Sequence, residues 1–341
     1  MYRSILVPLD GSSTSEYVLP IACDIARRSG ATLRLAHVHV RTAPDPIYIE
    51  GLPVIDEHLQ SLANVHERAY LEGVHERLVA EAAIPITVEV LDPMDADLHM
   101  RTVPATLAHH AAVTDVDLIV MTTHGRGGVA RFWLGSVADV LVRSSPVPIL
   151  LLRPDEDTPE TDRSPTIQRI LVPLDGSAQS EAILEHALAF GQLMHAEYTL
   201  LSVVAPFVLG ASAPFTTPTD FDPDRTNRLE REAQDYLNSV ALGLRSEGVQ
   251  VQMRVLISEQ VASSILEEAH QRGSHLIAMS TRGRSGLARL LIGSVADKVL
   301  RRAEMPLLLY RPEEHQAEDG RRDASATAEA PQGIEQEGTL R

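Results

Sequence analysis

The sequence predicts two doubly wound α/β domains in tandem, and three observations carry that prediction. The first is an internal repeat. ILVPLDGS, from Ile5 to Ser12, returns unchanged from Ile170 to Ser177, and MTTHGRGGVARFWLGSVAD, from Met121 to Asp139, returns as MSTRGRSGLARLLIGSVAD, from Met279 to Asp297. The first pair is offset by 165 residues and the second by 158, so the copies differ by a net seven residues, a variation that belongs in loops. The second observation is an alternation of strand and helix patterns within each copy, which means parallel strands joined by crossovers. The third is that the strand segments are short continuous apolar runs, as expected of strands covered on both faces.

In the first copy, Ser4–Leu9 is the opening strand. Ser13, with Glu16 three residues on, offers a capping box for a helix reaching about Ser29, and Gly30 sits at its C′ position. Pro20 inside that helix either kinks it or marks a late start. Ala31–Val40 is the second strand, followed by a Pro-rich loop, a helix over Glu57–Ala83, a strand Ile86–Leu91 and a helix Leu98–Ala112. Asp117–Thr122 is the fourth strand; a helix near Ser136–Ser144 and a strand Val147–Leu152 close the copy. The second copy repeats the order with Arg169–Leu174, Glu181–Met194, Glu197–Val204, Arg225–Glu247, Val249–Ile257, Val261–Arg272, His275–Ser280, Ser294–Arg302 and Pro306–Tyr310. Residues 154–165 are acidic and Pro-containing, a linker between domains spanning 1–153 and 166–312, and 313–341 reads as a disordered tail.

Composition narrows the function. At 341 residues and 44% hydrophobic content the chain can bury two cores. A net charge of −17 argues against a partner bound mainly through a phosphate backbone, and 4% aromatics is too few for a base-stacking surface. A single bound nucleotide stays compatible, because it needs only a local nest of backbone N–H groups. No run of apolar residues is long enough to span a membrane, and the start lacks the order of a signal peptide, so a cytoplasmic location is expected. Cys23, the only cysteine, reads as a small buried hydrophobe.

Ligands of doubly wound sheets bind at the carboxyl ends of the strands, where strand order reverses. The first strand ends near Pro8-Leu9-Asp10 and the fourth at Met121-Thr122, so both repeated motifs meet there if these strands are neighbours. Gly125 follows the fourth strand, nine residues separate it from Gly135, and Ser136 opens a helix; Gly283, Gly293 and Ser294 repeat the pattern. Glycines let the backbone approach a ligand, and the helix N-terminus adds unpaired N–H groups and a positive dipole end, an arrangement suited to polyphosphate. Ser136 and Ser294 either contact a phosphate or serve as N-caps. A P-loop would need a lysine that neither copy has. Gly125-x-Gly127-x-x-Ala130 matches a dinucleotide fingerprint by coincidence: it follows the fourth strand and not the first, and Ser285 breaks it in the second copy.

The ILVPLDGS start, the strand-end methionine and the Gly-x9-Gly-Ser loop before VAD resemble the universal stress protein family, in tandem form, over Met1–Pro154 and Thr166–Pro312. The resemblance implies a five-stranded parallel sheet of order 3-2-1-4-5 in each domain, and in the ATP-binding branch a nucleotide held by Gly-x2-Gly-x9-Gly-Ser/Thr. Carried onto this chain, the second and third glycines are Gly125 and Gly135, followed by Ser136, and Gly283 and Gly293, followed by Ser294. The first is replaced by Thr122 and by Ser280, beside the strand-end Met121 and Met279. Asp10 and Asp175, with Pro8 and Pro173, would line the adenine and ribose side, Val38 and Val203 would flank the base, and Val137 and Val295 follow the serines. For Asp10 and Asp175 the alternative is a turn-forming aspartate before glycine.

The implied function is that of an ATP-binding stress-response factor without dedicated catalysis, holding ATP, with or without magnesium, once per domain. A slow ATPase or self-phosphorylating protein, and a nucleotide-free dimerisation scaffold, are the alternatives. Arg126, Arg131, Arg284 and Arg289 face either phosphates or solvent. His66, His75, His109 and His110 form no metal pattern, and His124 is replaced by Arg282 in the second copy, so it is no shared base. The final strands lie at the sheet edge in the family order; pseudo-twofold packing of the two halves through them is expected, with homo-oligomerisation through edge strands.

Overall fold

A computed structural model describes residues 2–40, 47–49, 52–54, 57–93, 102–124, 134–154, 166–206, 208–209, 220–281 and 292–312. The strands are β1 (Ser4–Pro8), β2 (Thr32–Val38), β3 (Ile47–Ile49), β4 (Leu52–Val54), β5 (Ile86–Leu91), β6 (Leu118–Thr122) and β7 (Ile149–Leu152), then β8 (Arg169–Pro173), β9 (Glu197–Val204), β10 (Val208–Leu209), β11 (Asp220–Phe221), β12 (Val251–Ile257), β13 (Leu276–Ser280) and β14 (Leu307–Tyr310). The helices are α1 (Ser13–Glu16), α2 (Leu19–Ser29), α3 (Glu57–Glu81), α4 (Val103–Val113) and α5 (Ser136–Ser144), then α6 (Ala178–Glu181), α7 (Ile183–Met194), α8 (Pro223–Ser246), α9 (Val261–Gln271) and α10 (Ser294–Arg302).

Ten strands form one sheet in the order β12-β9-β8-β13-β14-β7-β6-β1-β2-β5. Each half is parallel and carries the order 3-2-1-4-5, with the reversal between β1 and β6 and between β8 and β13. The halves meet where β7 and β14 pair antiparallel, Leu151 opposite Leu307 and Ile149 opposite Leu309. The expected pseudo-twofold packing through the final strands is therefore present within one chain. It also uses up both of those edges, so the strands at the edges of the sheet are β5 and β12.

Side chains alternate between two faces, and each face is a single core spanning both halves. Ile5, Val7, Leu118, Val120, Leu150 and Leu308 belong to the core under α2, α3, α7 and α8. Leu6, Ile119, Met121, Leu151, Leu307 and Met279 belong to the other, under α4, α5, α9 and α10. Burying a side chain such as Leu150 or Leu308, both fully inaccessible, contributes about 1.5–3 kcal/mol. Charges reinforce the junction: Arg143 of α5 binds Asp139 at 2.8 Å and reaches Asp297 of α10 at 3.7 Å, while Arg301 binds Asp297 at 2.9 Å. Arg311 donates to the Arg143 carbonyl.

Several boundaries differ from expectation for local reasons. The first helix is capped by Ser12, whose hydroxyl accepts from the Ser15 N–H at 3.1 Å, and not by a Ser13–Glu16 box. Glu16 instead binds Tyr70 Oη at 2.9 Å and Arg77 of α3. That helix stops after one turn, and α2 restarts at Leu19 with Pro20 in its first turn, where a missing N–H is harmless; α6 and α7 repeat the break. The helix expected over Leu98–Ala112 begins at Val103 behind the cap Thr102, whose hydroxyl accepts from Ala105 N–H. The strands expected from Ala31, Val147 and Val249 begin at Thr32, Ile149 and Val251. The linker's residues 155–165, the tail, and the Pro-rich residues 43–46 lie outside the described residues.

Candidate functional site

The site assembles at the carboxyl ends of the strands, and pleat parity decides which face it uses. Pro8 and Pro173 end β1 and β8, half-buried, in the same pleat phase as Leu6 and Leu171. Val38 and Val203 near the ends of β2 and β9, and Met121 and Met279 near the ends of β6 and β13, pack into the core under α5 and α10. Val137 and Val295, in the first turns of those helices, pack against the same core. These residues thus converge on one face at one end of each half. Gly125 and Gly283, together with Arg126, Arg131, Arg284 and Arg289, lie outside the described residues.

Asp10 performs turn chemistry. Its Oδ1 accepts from the Ser12 N–H at 3.0 Å and the Ser12 hydroxyl at 2.6 Å, while its own N–H donates to Ser15 Oγ at 3.2 Å. Asp175, Ser177 and Ser180 repeat all three bonds. Gly11 and Gly176, which follow the aspartates, have φ of 83° and 81°, the left-handed conformation the turn requires. The turn-forming role weighed from sequence is therefore present in both halves, and it fixes where each aspartate sits.

At the phosphate end, Gly135 is the N-cap of α5 and Gly293 of α10, with no side chain capping either helix. Ser136 and Ser294 are the exposed first residues of the helices, so the ordinary N-cap role weighed for them does not hold. Gly135 N–H donates to the Thr123 carbonyl at 2.6 Å, and Gly293 N–H to the Thr281 carbonyl at 2.8 Å, returning the loop to the strand it left. A Cβ at Gly135 would lie 3.1 Å from the Thr123 oxygen and one at Gly293 would lie 3.4 Å from Thr281 oxygen. That approach is tight at Gly135 and ordinary at Gly293, and among the described residues nothing bonds the first N–H groups of either helix, the groups that an anion at a helix N-terminus would use. The donor set fits a phosphate group.

Thr122 and Ser280 replace a glycine without requiring its conformation. Each ends a strand, and the described non-glycine residues with positive φ are Asp115 and His195 alone. In the pleat they share the phase of Val120 and Ala278, whose core lies on the face opposite Met121 and Met279. Their side chains are buried and leave the crevice face clear. Thr122 Oγ1 donates to the His124 carbonyl at 2.6 Å, and Thr123 Oγ1 meets His124 Nδ1 at 2.9 Å. Ser280 Oγ is buried and has no hydrogen-bond partner among the described residues.

Sequence reasoning passed over a buried cluster in the first half. His37 Nδ1 donates to the Leu9 carbonyl at 2.8 Å, and its Nε2 lies 3.5 Å from Glu67 of α3. His39 Nδ1 donates to Glu67 at 2.8 Å. The signal was available as two histidines flanking Val38 on alternate strand positions; Ser202 and Val204 stand there in the second half. Of the histidines singled out from sequence, His66 is exposed, and His110 is buried 3.6 Å from Glu89, its basicity lowered mainly by burial. Burial likewise pushes the Cys23 thiol up to about 11, so it is not a reactive thiolate.

The universal stress protein family model matches residues 1–153 and again 166–311. The chain belongs to the universal stress protein family. A universal stress protein of Mycobacterium tuberculosis strain H37Rv is 26% identical over 324 residues, covering 91% of this chain and 97% of that protein. The solved universal stress protein of Archaeoglobus fulgidus covers 91% of this chain and 97% of its own at 20% identity and a TM-score of 0.59, a likeness of fold. Another universal stress protein, solved in complex with cAMP, covers 43% of this chain at 19% identity and a TM-score of 0.30. Among the described residues no helix is long and apolar enough to cross a membrane.

Proposed function

We propose that each half binds an adenine nucleotide, ATP, at its strand-end crevice, and that the chain is a nucleotide-responsive stress-survival factor without dedicated catalysis. One observation carries the reading. A nine-residue helix opening on an uncapped glycine sits at the same place in both halves, on the face where Val38 and Val203 and Met121 and Met279 end. The phosphates would rest on the N–H groups following Gly135 and Gly293, with the hydroxyls of Ser136 and Ser294 within the same turn. The base would lie towards Val38 or Val203 and the ribose towards Asp10 or Asp175. Among the described residues no group of three His, Cys, Asp or Glu is placed to hold a metal, so a magnesium ion would be carried by the phosphates.

Occupancy would stabilise the native chain by mass action, which offers a way to signal nucleotide state to a partner. Titration calorimetry of nucleotide-stripped chain with ATP, ADP and AMP is expected to give saturable heats; silence at millimolar ligand overturns the reading. A second reading rests on Ser136 and Ser294 being exposed hydroxyls beside the phosphate position. It expects magnesium-dependent ATP loss or protein phosphorylation that Ser136→Ala and Ser294→Ala abolish, whereas a binder leaves ATP intact for hours. Association of whole chains would use β5 or β12, the two edges left free.

A further inference from the structure

The two crevices share a backbone but are braced differently. On the base side of the first half, His37 holds the Leu9 carbonyl, one residue before Asp10, and Glu67 of α3 lies against both His37 and His39. Glu16 also ties the Asp10 turn to α3 through Tyr70 and Arg77, and Glu181 acts on Tyr236 of α8 at the matching place in the second half, so the tyrosine contact does not distinguish the two crevices. On the phosphate side, Thr122 and Thr123 hold His124, the residue from which the glycine loop departs. Both ends of the crevice floor are thus pinned before any ligand arrives.

In the second half neither pin is made by the matching residue. Ser202 stands at the position of His37, and no imidazole is there to reach the Leu174 carbonyl. Ser280 stands at the position of Thr122, and among the described residues its buried hydroxyl has no hydrogen-bond partner. Serine lacks the γ-methyl that restricts threonine at χ1, so nothing intrinsic to the side chain directs its hydroxyl to the turn. Among the described residues the strand ends of this crevice are held by fewer side-chain hydrogen bonds, and a ligand that needs them fixed loses part of its affinity to that ordering.

We propose that the two nucleotide sites are inequivalent, with the first-half site the tighter because His37 and Thr122 hold its strand ends in place. The proposal rests on the functional reading above and adds to it an order of filling. His37 and Thr122 are positioning residues: they act through the Leu9 and His124 carbonyls. The first half fills ahead of the second, so a singly occupied chain is the main species at intermediate nucleotide concentration. One hydrogen bond of organisation at each end makes the sites differ by about tenfold in dissociation constant.

The test is equilibrium binding of ATP to the full, nucleotide-stripped chain, fitted for two classes of site, with the ligand-free melting temperature measured alongside. The wild type is expected to show two classes about tenfold apart. Thr122→Val, which removes the hydroxyl with little change of volume, and His37→Ser, which installs the second half's own residue, should each weaken the tight class and leave the weak class unmoved. A merely structural role would weaken both classes together with the melting temperature. Ser280→Thr works in the opposite direction and should strengthen the weak class. Two equal classes in the wild type, or a tight class untouched by Thr122→Val, overturn the proposal. Absence of any ATP binding at millimolar ligand instead removes the functional reading on which it stands.

Discussion

At the end of the first long helix of each half the chain makes the same left-handed turn with different residues. Gly30 closes α2 at φ 71°, and His195 closes α7 at φ 53°. Glycine adopts this conformation freely, whereas a residue with a Cβ pays about 1–2 kcal/mol for it. The second half keeps the turn nonetheless, because the next strand must start beside β8: Ala196 N–H donates to the Gly191 carbonyl at 2.9 Å, as Ala31 N–H does to Ala26 at 3.0 Å. The difference teaches that topology has been held fixed in both halves while the residues supporting it have changed. The same holds for His37 against Ser202 and for Ile21 against His186.

The largest effect expected from testing that comparison lies in the cores. Phe190 of α7 is fully inaccessible and stands where Ile25, equally inaccessible, stands in α2. Phe190→Ala should cost about 3–5 kcal/mol in denaturant unfolding, and Ile25→Ala should fall in the lower part of about 2–5 kcal/mol. Equal losses would mean that the greater volume of Phe190 adds nothing to the packing of the core both residues share. Next come the loop glycines. Gly135→Ala meets the Thr123 carbonyl at 3.1 Å and should cost about 2 kcal/mol, while Gly293→Ala, at 3.4 Å from Thr281, should cost about 1. The helix ends should respond with opposite signs: Gly30→Ala destabilises by about 1 kcal/mol, and His195→Gly stabilises by somewhat less, because glycine also loosens the unfolded chain.

The smallest effect is the share of the acid-side pH dependence that comes from His186; His110 in the first half, also lowered by burial, contributes with the same sign. His186 stacks on Tyr310 with ring centroids 4.1 Å apart, and burial, only partly opposed by Glu185, lowers its pKa below the ordinary 6.5. Above about 6.5 the group is neutral folded or unfolded and adds no pH dependence. As pH falls from there towards the lowered native value, the unfolded chain takes up a proton that the native chain refuses, so stability drops. His186→Ile, the residue the first half uses, should flatten that part of the stability–pH curve measured by urea unfolding.

Much of the architecture was legible because the repeat made every reading twice. The parallel α/β architecture and the meeting of the Pro8–Asp10 and Met121–Thr122 strand ends follow from apolar runs and the duplicated motifs, whereas strand order, the sheet junction and the place of Val38 came from the resemblance to the family. What escaped was set by contacts distant in sequence or by alternatives of equal local merit. Ser12 and Ser13 both suit a cap, and the choice falls to Ser12 because Glu16 is drawn to Tyr70 and Arg77 across 54 and 61 residues. Thr122 and Ser280 looked like the weak point of a glycine motif; only the pleat shows that their side chains leave the crevice face. The two histidines flanking Val38 were visible, but the bond His37 makes was not, because its partner is a backbone carbonyl that no residue pattern encodes.

The antiparallel junction has a consequence for assembly. Leu307, Leu308 and Leu309 face Leu151, Leu150 and Ile149 in a ladder that makes no reference to whether the strands share a chain. Two chains could exchange second halves across it and gain a dimer without a single new contact. The tether from Pro154 to Thr166 keeps the partner strand at millimolar effective concentration, which favours closure within the chain until protein concentration approaches that level. Carrying both halves in one polypeptide makes the β7–β14 pairing intramolecular, and every molecule carries both strand-end crevices in a ratio of one to one.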